Sequence, residues 1–314
     1  MLCDESAAAA SESSDTMMLC ASCGVAEGDD IKLKKCACHL VKYCSVKCQK
    51  DHRPKHKKEC KKRVAELRDE ILFKQPEGSH LGDCPICLLP LPIDPSKSGF
   101  YTCCSKHVCD GCNISNKKRE DERRLQHECP FCRSALHKTQ DELKERLMKR
   151  IEANDPVAMR NMGTDRSVGG DHEAAFEYWT RAAALGDVLA HYQLSILYHN
   201  GNSVEKDEKK YLHHTEQAAI GGHPAARWNL GFKEGENGRL DRAAKHWIIA
   251  AKLGHDQSLA AVKDLYRDGL ASKEDFATAL RGHKAAIDAT KSPQRKEAAA
   301  FYKVHPKKEF RQAE

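Results

Sequence analysis

The chain has 314 residues, of which 40% are hydrophobic and 31% charged, so its length allows two or three domains. Fifteen of its 16 cysteines lie between Cys20 and Cys132, and its formal net charge is +6. Residues 1–18 have neither the basic start nor the apolar stretch of a signal peptide, and no run approaches the length of a transmembrane helix. These features argue against a disulfide scaffold and a membrane protein, and we expect an intracellular protein of the cytoplasm or nucleus.

The first cysteine cluster follows a low-complexity segment, residues 1–18, that we expect to be disordered and whose Cys3 receives no role. Two thiolates separated by two or three residues are able to bind one zinc ion from a single turn. The cluster contains Cys20-x2-Cys23, Cys36-x-Cys38, Cys44-x3-Cys48 and His56-x3-Cys60. The three-residue gaps place both ligands of a pair on adjacent helical turns facing one metal. The spacing therefore predicts structural zinc.

Residues 19–60 resemble a MYND-type zinc finger, chiefly through the stretch Tyr43–Lys50 and the stretch His56–Cys60. The resemblance implies a cross-braced fold with two zinc ions. One ion is then bound by Cys20, Cys23, Cys44 and Cys48, and the other by Cys36, Cys38, His56 and Cys60. The family normally has C-x2-C at its second pair, so Cys36-x2-His39 is the alternative pair. The family's tryptophan before the histidine is missing, and Arg53-Pro54 stand near its position.

A helical linker is predicted for residues 61–80. Within it, residues 61–73 read as a short amphipathic helix with Val64, Leu67 and Ile71 on one side. The sequence Pro76-Glu77-Gly78 is expected to break this helix before the second cysteine cluster begins.

The second cluster occupies residues 81–135 and has three C-x2-C pairs: Cys84 with Cys87, Cys109 with Cys112, and Cys129 with Cys132. Between the first two pairs lie Cys103, Cys104 and His107. The pattern resembles a RING finger, again cross-braced. It implies that Cys84, Cys87, Cys109 and Cys112 hold one zinc, while Cys104, Cys129 and Cys132 hold the other with a fourth ligand. That ligand is His107, which lies one residue from its usual position and which we favour, or the adjacent Cys103.

The RING resemblance also implies a surface for a ubiquitin-conjugating enzyme. In the family, an apolar residue inside the first C-x2-C, a proline inside the last and a basic residue after it make the contacts. Ile86, Pro130 and Arg133 occupy these positions. A RING finger has no catalytic residue of its own and acts by holding the ubiquitin thioester in a reactive pose. The ordinary structural roles of the three residues are knuckle packing, a rigid turn and a solvated surface.

The second half of the chain contains an internal repeat. After a helical linker at 136–152, where Thr139 and Glu142 resemble a capping box, glycines recur at Gly186, Gly221 and Gly254 behind AAALG, QAAIG and AAKLG. Seven residues before them stand Trp179, His214 and Trp247. Alanines recur as Ala158, Ala190, Ala226 and Ala261. Alanine at helix contacts and glycine as a C-cap predict four stacked helix pairs with Trp179 and Trp247 in the core.

Residues 153–290 resemble the Sel-one-like (Sel1) repeat, a relative of the tetratricopeptide repeat, which implies a protein-binding scaffold and no catalysis. Residues 291–314 are predicted to be a basic tail. The expected fold class is two small cross-braced zinc-binding domains followed by an all-α helix-pair solenoid.

The predicted zinc content changes how the net charge is understood. Two all-cysteine sites and two sites with one histidine contribute about −6, which cancels the formal +6 and makes nucleic acid an unlikely partner. The ligands suffice to close all four sites, which favours structural zinc over a metallohydrolase. We therefore expect an intracellular zinc-binding adaptor that holds protein partners through its MYND-like finger and solenoid. The alternative is a RING-type ubiquitin ligase whose solenoid selects substrates and whose partners include a ubiquitin-conjugating enzyme.

Overall fold

The computed structural model of the chain describes residues 19–201 and 203–307. The chain divides into two compact units, Met1–Ile71 and Leu72–Glu314. Residues 1–18, which we expected to be disordered and which include Cys3, lie outside the described residues. Within the described ranges, no helix is both long enough and apolar enough to cross a membrane.

The first unit has a core made largely of cysteines. A two-stranded antiparallel hairpin, β1 (Lys34–Lys35) and β2 (Lys42–Tyr43), precedes one long helix, α1 (Val46–Leu72). The buried cluster consists of Cys20, Leu33, Cys36, Cys38 and Tyr43. Such a small apolar core stabilises a domain weakly, so metal coordination has to supply most of its stability.

Helix α1 corrects the expectation of a short helix over 61–73. Those residues continue the helix that begins at Val46 and carries the finger's last ligands. The side predicted to be apolar is partly exposed, with Val64 38% and Ile71 59% accessible. The helix ends at Leu72, ahead of the expected break at Pro76.

The second unit begins with a small module of two strands and a helix. A 3-10 turn (Pro95–Lys97) leads into β3 (Ser98–Tyr101) and β4 (Lys106–Cys109), an antiparallel hairpin in which Phe100 pairs with His107. Helix α2 (Asp110–Glu122) follows at once. Leu91 and Val108 are buried with Cys84 and Cys109, so cysteines again contribute much of a small core.

The remaining helices of the described chain form an α-solenoid. They are α3 (Gln140–Glu152), α4 (Pro156–Val168), α5 (His172–Ala184), α6 (Val188–Asn200), α7 (Glu208–Ile220), α8 (Pro224–Glu236), α9 (Leu240–Lys252), α10 (Asp256–Arg267), α11 (Lys273–Ala289) and α12 (Pro293–Val304). Helix α4 packs against α5, α6 against α7, and α8 against α9. Helix α10 packs against both α9 and α11, which gives the fourth pair. Thr139 caps α3 by accepting a hydrogen bond from the Glu142 N–H.

The first helix of every pair starts in the same way. Its N-cap side chain accepts a hydrogen bond from the backbone N–H three residues on. The N-caps are Asp155, Asp187, His223 and His255. The residues three positions on are the fully buried Ala158, Ala190, Ala226 and Ser258. The expected position Ala261 was therefore wrong by three residues, because the fourth pair uses serine, another small residue, where the others have alanine.

A glycine with a left-handed backbone follows the second helix of each of the first three pairs. Its φ is +86° at Gly186, +85° at Gly222 and +91° at Gly254, a conformation that favours glycine. Gly221 is thus not the equivalent of the other two, which corrects the expected repeat position by one residue. The middle counterpart of the tryptophans is then Thr215, which is fully buried, and not His214.

Small residues on one helix face large ones on the next. Trp179 and Trp247 are 4% and 9% exposed, which confirms their predicted place in the core. A Cβ atom added at Gly163 would lie 2.7 Å from the Trp179 ring, and one added at Gly231 would lie 2.3 Å from Trp247 Nε1. Each indole N–H also donates to a backbone carbonyl of the facing helix. The glycines therefore make room for the rings that they contact.

Residues beyond 290 include more structure than the basic tail expected for 291–314. Helix α12 begins at Pro293 with Ser292 as its N-cap, and it packs against α2 of the cysteine module. Its contacts bring the end of the solenoid to a segment almost two hundred residues earlier in the sequence.

Candidate metal centres

Among the described residues, four groups bring together four metal-binding side chains whose ligand atoms all lie within 4.8 Å of one another. The first unit holds Cys20, Cys23, Cys44 and Cys48, and also Cys36, Cys38, His56 and Cys60. The second unit holds Cys84, Cys87, Cys109 and Cys112, and also Cys103, Cys104, Cys129 and Cys132. In both units the groups interleave along the sequence, which is the cross-braced arrangement that the two resemblances imply.

Helix α1 and the hairpin position the ligands of the first unit. Cys44 follows β2 and its Sγ lies 3.6 Å from the sulfurs of both Cys23 and Cys48. In the other group, Cys36 Sγ lies 3.5 Å from Cys60 Sγ, and Cys38 Sγ lies 3.1 Å from His56 Nε2.

His56 combines burial with a defined orientation. Only 5% of it is exposed, and its Nε2 faces the cysteines while its Nδ1 lies 3.7 Å from a Glu59 carboxylate oxygen. A carboxylate behind a histidine favours the tautomer whose other nitrogen binds metal.

The second unit shows the same sulfur spacing. Cys84 and Cys112 are 3.9 Å apart, and Cys87 and Cys109 are 3.8 Å apart. In the neighbouring group, Cys104 and Cys129 are separated by 3.8 Å, and Cys103 and Cys132 by 3.4 Å. Ligands about 2.3 Å from a tetrahedral zinc ion stand about 3.8 Å from each other. A disulfide would bring two sulfurs to about 2 Å, so these are free thiols at metal-site spacing.

A single loop design holds three of the C-x2-C pairs. At Cys20, Cys84 and Cys129, the carbonyl accepts a 2.9 Å bond from the N–H four residues on. The same cysteine's N–H donates 2.8–2.9 Å bonds to the carbonyl five residues on. The residue after each pair has positive φ and is Gly24, Leu88 or Arg133. The loop turns both thiols toward one point, so a local backbone motif forms half of each site.

The alternative pairing through His39 is not the one in the structure. Cys36 and Cys38 both belong to the group of four, whereas His39 is exposed and follows them with a φ of +61°. It thus occupies the positive-φ position that closes the turn.

The structure places Cys103, and not His107, with Cys104, Cys129 and Cys132, which corrects the ligand that we favoured. The tight turn between β3 and β4 presents the adjacent cysteines together. His107 lies within β4, where its ring packs 5.2 Å from Phe100 and burial lowers its pKa to about 4. The two consecutive cysteines, Cys103 and Cys104, were the sequence signal for this arrangement.

Crowding gives the thiols of one group unequal acidities. The hydrogen bond from the Cys109 thiol lowers the pKa of Cys84 to about 4 and raises the pKa of Cys109 in return. Burial and the nearby Cys129 raise the pKa of Cys104 to about 11. Partial desolvation raises the pKa of Cys132, but hydrogen bonds with Ser134, Cys103 and Cys129 together outweigh it and lower that pKa to about 6. In each group the first thiol ionises readily, and its negative charge then disfavours ionisation of the neighbouring thiols. A bound cation would relieve this repulsion.

The residues predicted to contact a conjugating enzyme lie around one groove, with one exception. A cavity of about 440 Å3 is lined by Ile86, Pro130 and the α2 residues Ser115 and Arg119. Ser292 and Gln294, at the start of α12, form another side. Ile86 is 41% exposed. Arg133 is also exposed but does not line the cavity.

Comparisons with known proteins identify two parts of the chain. The MYND finger model matches residues 20–60, and the Sel1 repeat model matches residues 156–187, 188–223 and 224–255. A search of curated proteins gave no match. A solved Sel1 repeat protein from Oxalobacter formigenes is 23% identical, with a TM-score of 0.42 over 61% of this chain and 77% of that one.

A second solved structure is c5321, a protective antigen of uropathogenic Escherichia coli strains that displays an SLR fold. It is 25% identical with a TM-score of 0.39, and the match covers 51% of this chain and 36% of that one. The family matches agree with the repeat register found in the structure, since each begins at the first helix of a pair. The chain therefore contains a MYND finger within a cysteine-rich zinc-binding region, followed by a Sel1 repeat solenoid.

Proposed function

We propose that this protein is an intracellular adaptor in which four structural zinc ions shape two interaction modules and the Sel1 solenoid provides a third. The observation that carries the proposal is the set of four ligand groups at tetrahedral spacing. Protein side chains fill every position of each tetrahedron, so no position is open for substrate, and the zinc ions serve folding. The ligand sets are the four groups described above, including Cys103.

The finger supports an interaction role through its surface. A cavity of about 350 Å3 has Tyr43 and Val46 among its lining residues, and Lys50, Arg53 and Lys57 lie around it. Val46 is 64% exposed, an apolar side chain beside a basic rim. Such a surface suits a peptide that carries apolar and acidic side chains.

The test combines metal analysis with partner capture. Purified full-length protein is expected to hold four zinc ions per chain, and two or fewer would contradict the proposal. Cross-linking in cells is expected to recover partners that Lys50→Glu with Lys57→Glu loses. The matched control, Lys55→Glu with Lys58→Glu, changes the same charge on α1 outside the cavity. Identical partner sets for both double variants would exclude the finger as the binding surface.

A second candidate function is a RING-type ubiquitin ligase, and the groove between Ile86, Pro130 and α2 is the observation that favours it. An auto-ubiquitination assay across a panel of conjugating enzymes is expected to show transfer if this function operates. Ile86→Ala and Arg133→Ala should then lose transfer while retaining zinc, because neither residue is a ligand. A wild-type protein inactive with every conjugating enzyme would leave the adaptor as the function.

A further inference from the structure

Arg295, in the first turn of α12, reaches into the loop of the Cys84–Cys87 pair. Its Nη2 lies 3.5 Å from Cys87 Sγ and donates a 3.1 Å hydrogen bond to the Leu89 carbonyl. Its Nη1 donates to the Pro90 carbonyl at 2.7 Å. One guanidinium therefore contacts a ligand sulfur and the carbonyls of Leu89 and Pro90 in the same loop, although 208 residues separate Arg295 from Cys87.

The helix that carries Arg295 lies against the other half of the same site. Gly111 stands between the ligands Cys109 and Cys112 at the start of α2. A Cβ atom at Gly111 would lie 2.9 Å from both the backbone N and the Cγ of Arg295. The lack of a side chain at Gly111 is what allows α12 to approach, and both halves of the ligand set thus contact one segment.

Further along, the C-terminal segment is attached at two more points. Lys307 Nζ lies 2.6 Å from Asp110 Oδ1 and also donates to the Ser96 carbonyl. Lys118 of α2 pairs with Glu297 of α12. These contacts join the C-terminal segment to the second cysteine module at points other than Arg295.

The positive charge of Arg295 lies beside a site that would be negatively charged. An all-cysteine zinc site carries a net charge of about −2, and the Cys84 group is of this kind. A partly buried guanidinium 3.5 Å from one of the ligand sulfurs offsets part of that charge. Hydrogen bonds to metal ligands typically account for 10–100-fold in metal affinity.

We propose that Arg295 is a positioning residue of the Cys84–Cys87–Cys109–Cys112 zinc site, where it stabilises the Cys87 thiolate and makes α12 part of the second zinc module. The proposal rests on zinc binding at that site. The C-terminal end of the solenoid then contributes to metal retention, a role that the spacing of the cysteines did not indicate.

The test measures metal at this site in the full-length chain. Arg295→Met keeps the length of the side chain and removes its donors, and we expect zinc affinity at this site to fall about 10–100-fold in chelator competition. Alkylation with mass spectrometry should show Cys84, Cys87, Cys109 and Cys112 labelled first. Arg295→Lys should retain part of the zinc affinity, because lysine keeps the positive charge but lacks the paired N–H donors of the guanidinium. Arg281→Met, an exposed arginine of α11, is the matched control.

Absorption spectra of the cobalt-substituted protein distinguish a hydrogen bond to sulfur from a contact that only supports the fold. Loss of the donor in Arg295→Met should move the sulfur-to-cobalt charge-transfer band to lower energy, because the thiolate becomes a stronger electron donor. Gly111→Ala, which displaces α12 and leaves Arg295 in the chain, should produce the same shift. An unchanged band and unchanged affinity in Arg295→Met would overturn the inference. A wild-type chain without metal on these four cysteines would instead overturn the proposed zinc site.

Discussion

The first unit and the solenoid bury their interiors by different means. In the first unit three of the five residues of the buried cluster are cysteines, and one long helix carries three metal ligands. In the solenoid many of the buried residues are alanines packed with large apolar side chains, as where Ala158 and Trp179 share one cluster. The first unit therefore depends on an ion, whereas each solenoid pair depends on the fit of its neighbours. The second cysteine module combines both, since it coordinates metal and packs against α12.

The largest effect should come from removing metal. Chelation is expected to unfold the first unit and to open the sites of the second module, because each structural zinc supplies on the order of 10 kcal/mol. Helical circular dichroism from the solenoid should largely remain. Limited proteolysis would then cleave within residues 19–135 first. An equal loss of the solenoid signal would show that the two regions depend on the same ions.

Removing a tryptophan should affect the solenoid alone. Trp179→Ala and Trp247→Ala are each expected to cost roughly 3–5 kcal/mol, because they leave cavities in a packed interior. Urea unfolding of the zinc-loaded chain, followed by circular dichroism, measures this loss. Phe232→Ala, at a 55% exposed position, serves as the control. Wild-type stability in both tryptophan variants would refute the packing described for the pairs.

A smaller effect should distinguish two glycines of the same helix. Gly231→Ala in α8 places a methyl group against the Trp247 ring and should destabilise the solenoid by about 1–3 kcal/mol. Gly235→Ala, whose added Cβ would have no atom within 4 Å apart from the adjacent residues and the backbone of its own helix, should stabilise it by roughly 0.5–1 kcal/mol. Opposite signs in the same unfolding assay are expected. Equal effects would mean that the indole does not lie against Gly231.

A graded effect of similar size should appear on mild acidification. Burial lowers the pKa of His223 to about 2 and that of His214 to about 4, so the folded chain keeps both neutral when the unfolded chain protonates near 6.5. Stability is therefore fully present above pH 6.5 and falls as the pH drops toward the folded values. The loss between pH 6.5 and 5.5 is about 1 kcal/mol for each histidine. His223→Asn, which keeps an N-cap acceptor, should flatten this dependence, and an unchanged slope would contradict it.

Local sequence determined much of the site and of the fold. Two thiols two residues apart need only their own loop to converge, so the pairs at Cys20, Cys84 and Cys129 were predictable. The choice between Cys103 and His107 depends on where a strand begins and on which side chains turn inward, which spacing does not define. The shift from Ala261 to Ser258 has a similar cause, because one small residue replaces another and the alanine pattern disappears.

Contacts between distant segments were not predictable. Arg295 was one of many basic residues near the C-terminus, and its hydrogen bonds to the Cys84–Cys87 loop depend on the number and curvature of the helix pairs that precede it. The same holds for α12 as a whole, where the sequence indicated a tail. The continuity of α1 was missed for another reason. Ligand spacing indicated helical turns near the last ligands and apolar spacing indicated a short helix over 61–73, but neither pattern showed that one helix contains both.

The match between Gly163 and Trp179, and between Gly231 and Trp247, limits how this solenoid is able to change length. The second pair, α6 and α7, has Ser195 and Thr215 at the corresponding positions, and both are fully buried. A recombination that joined α6 to α9 would set the indole of Trp247 against Ser195, where glycine is required. Deleting or duplicating a whole helix pair keeps each match intact, whereas exchanging single helices does not. We therefore expect this solenoid to tolerate the gain or loss of a whole pair better than a crossover that separates the two helices of a pair.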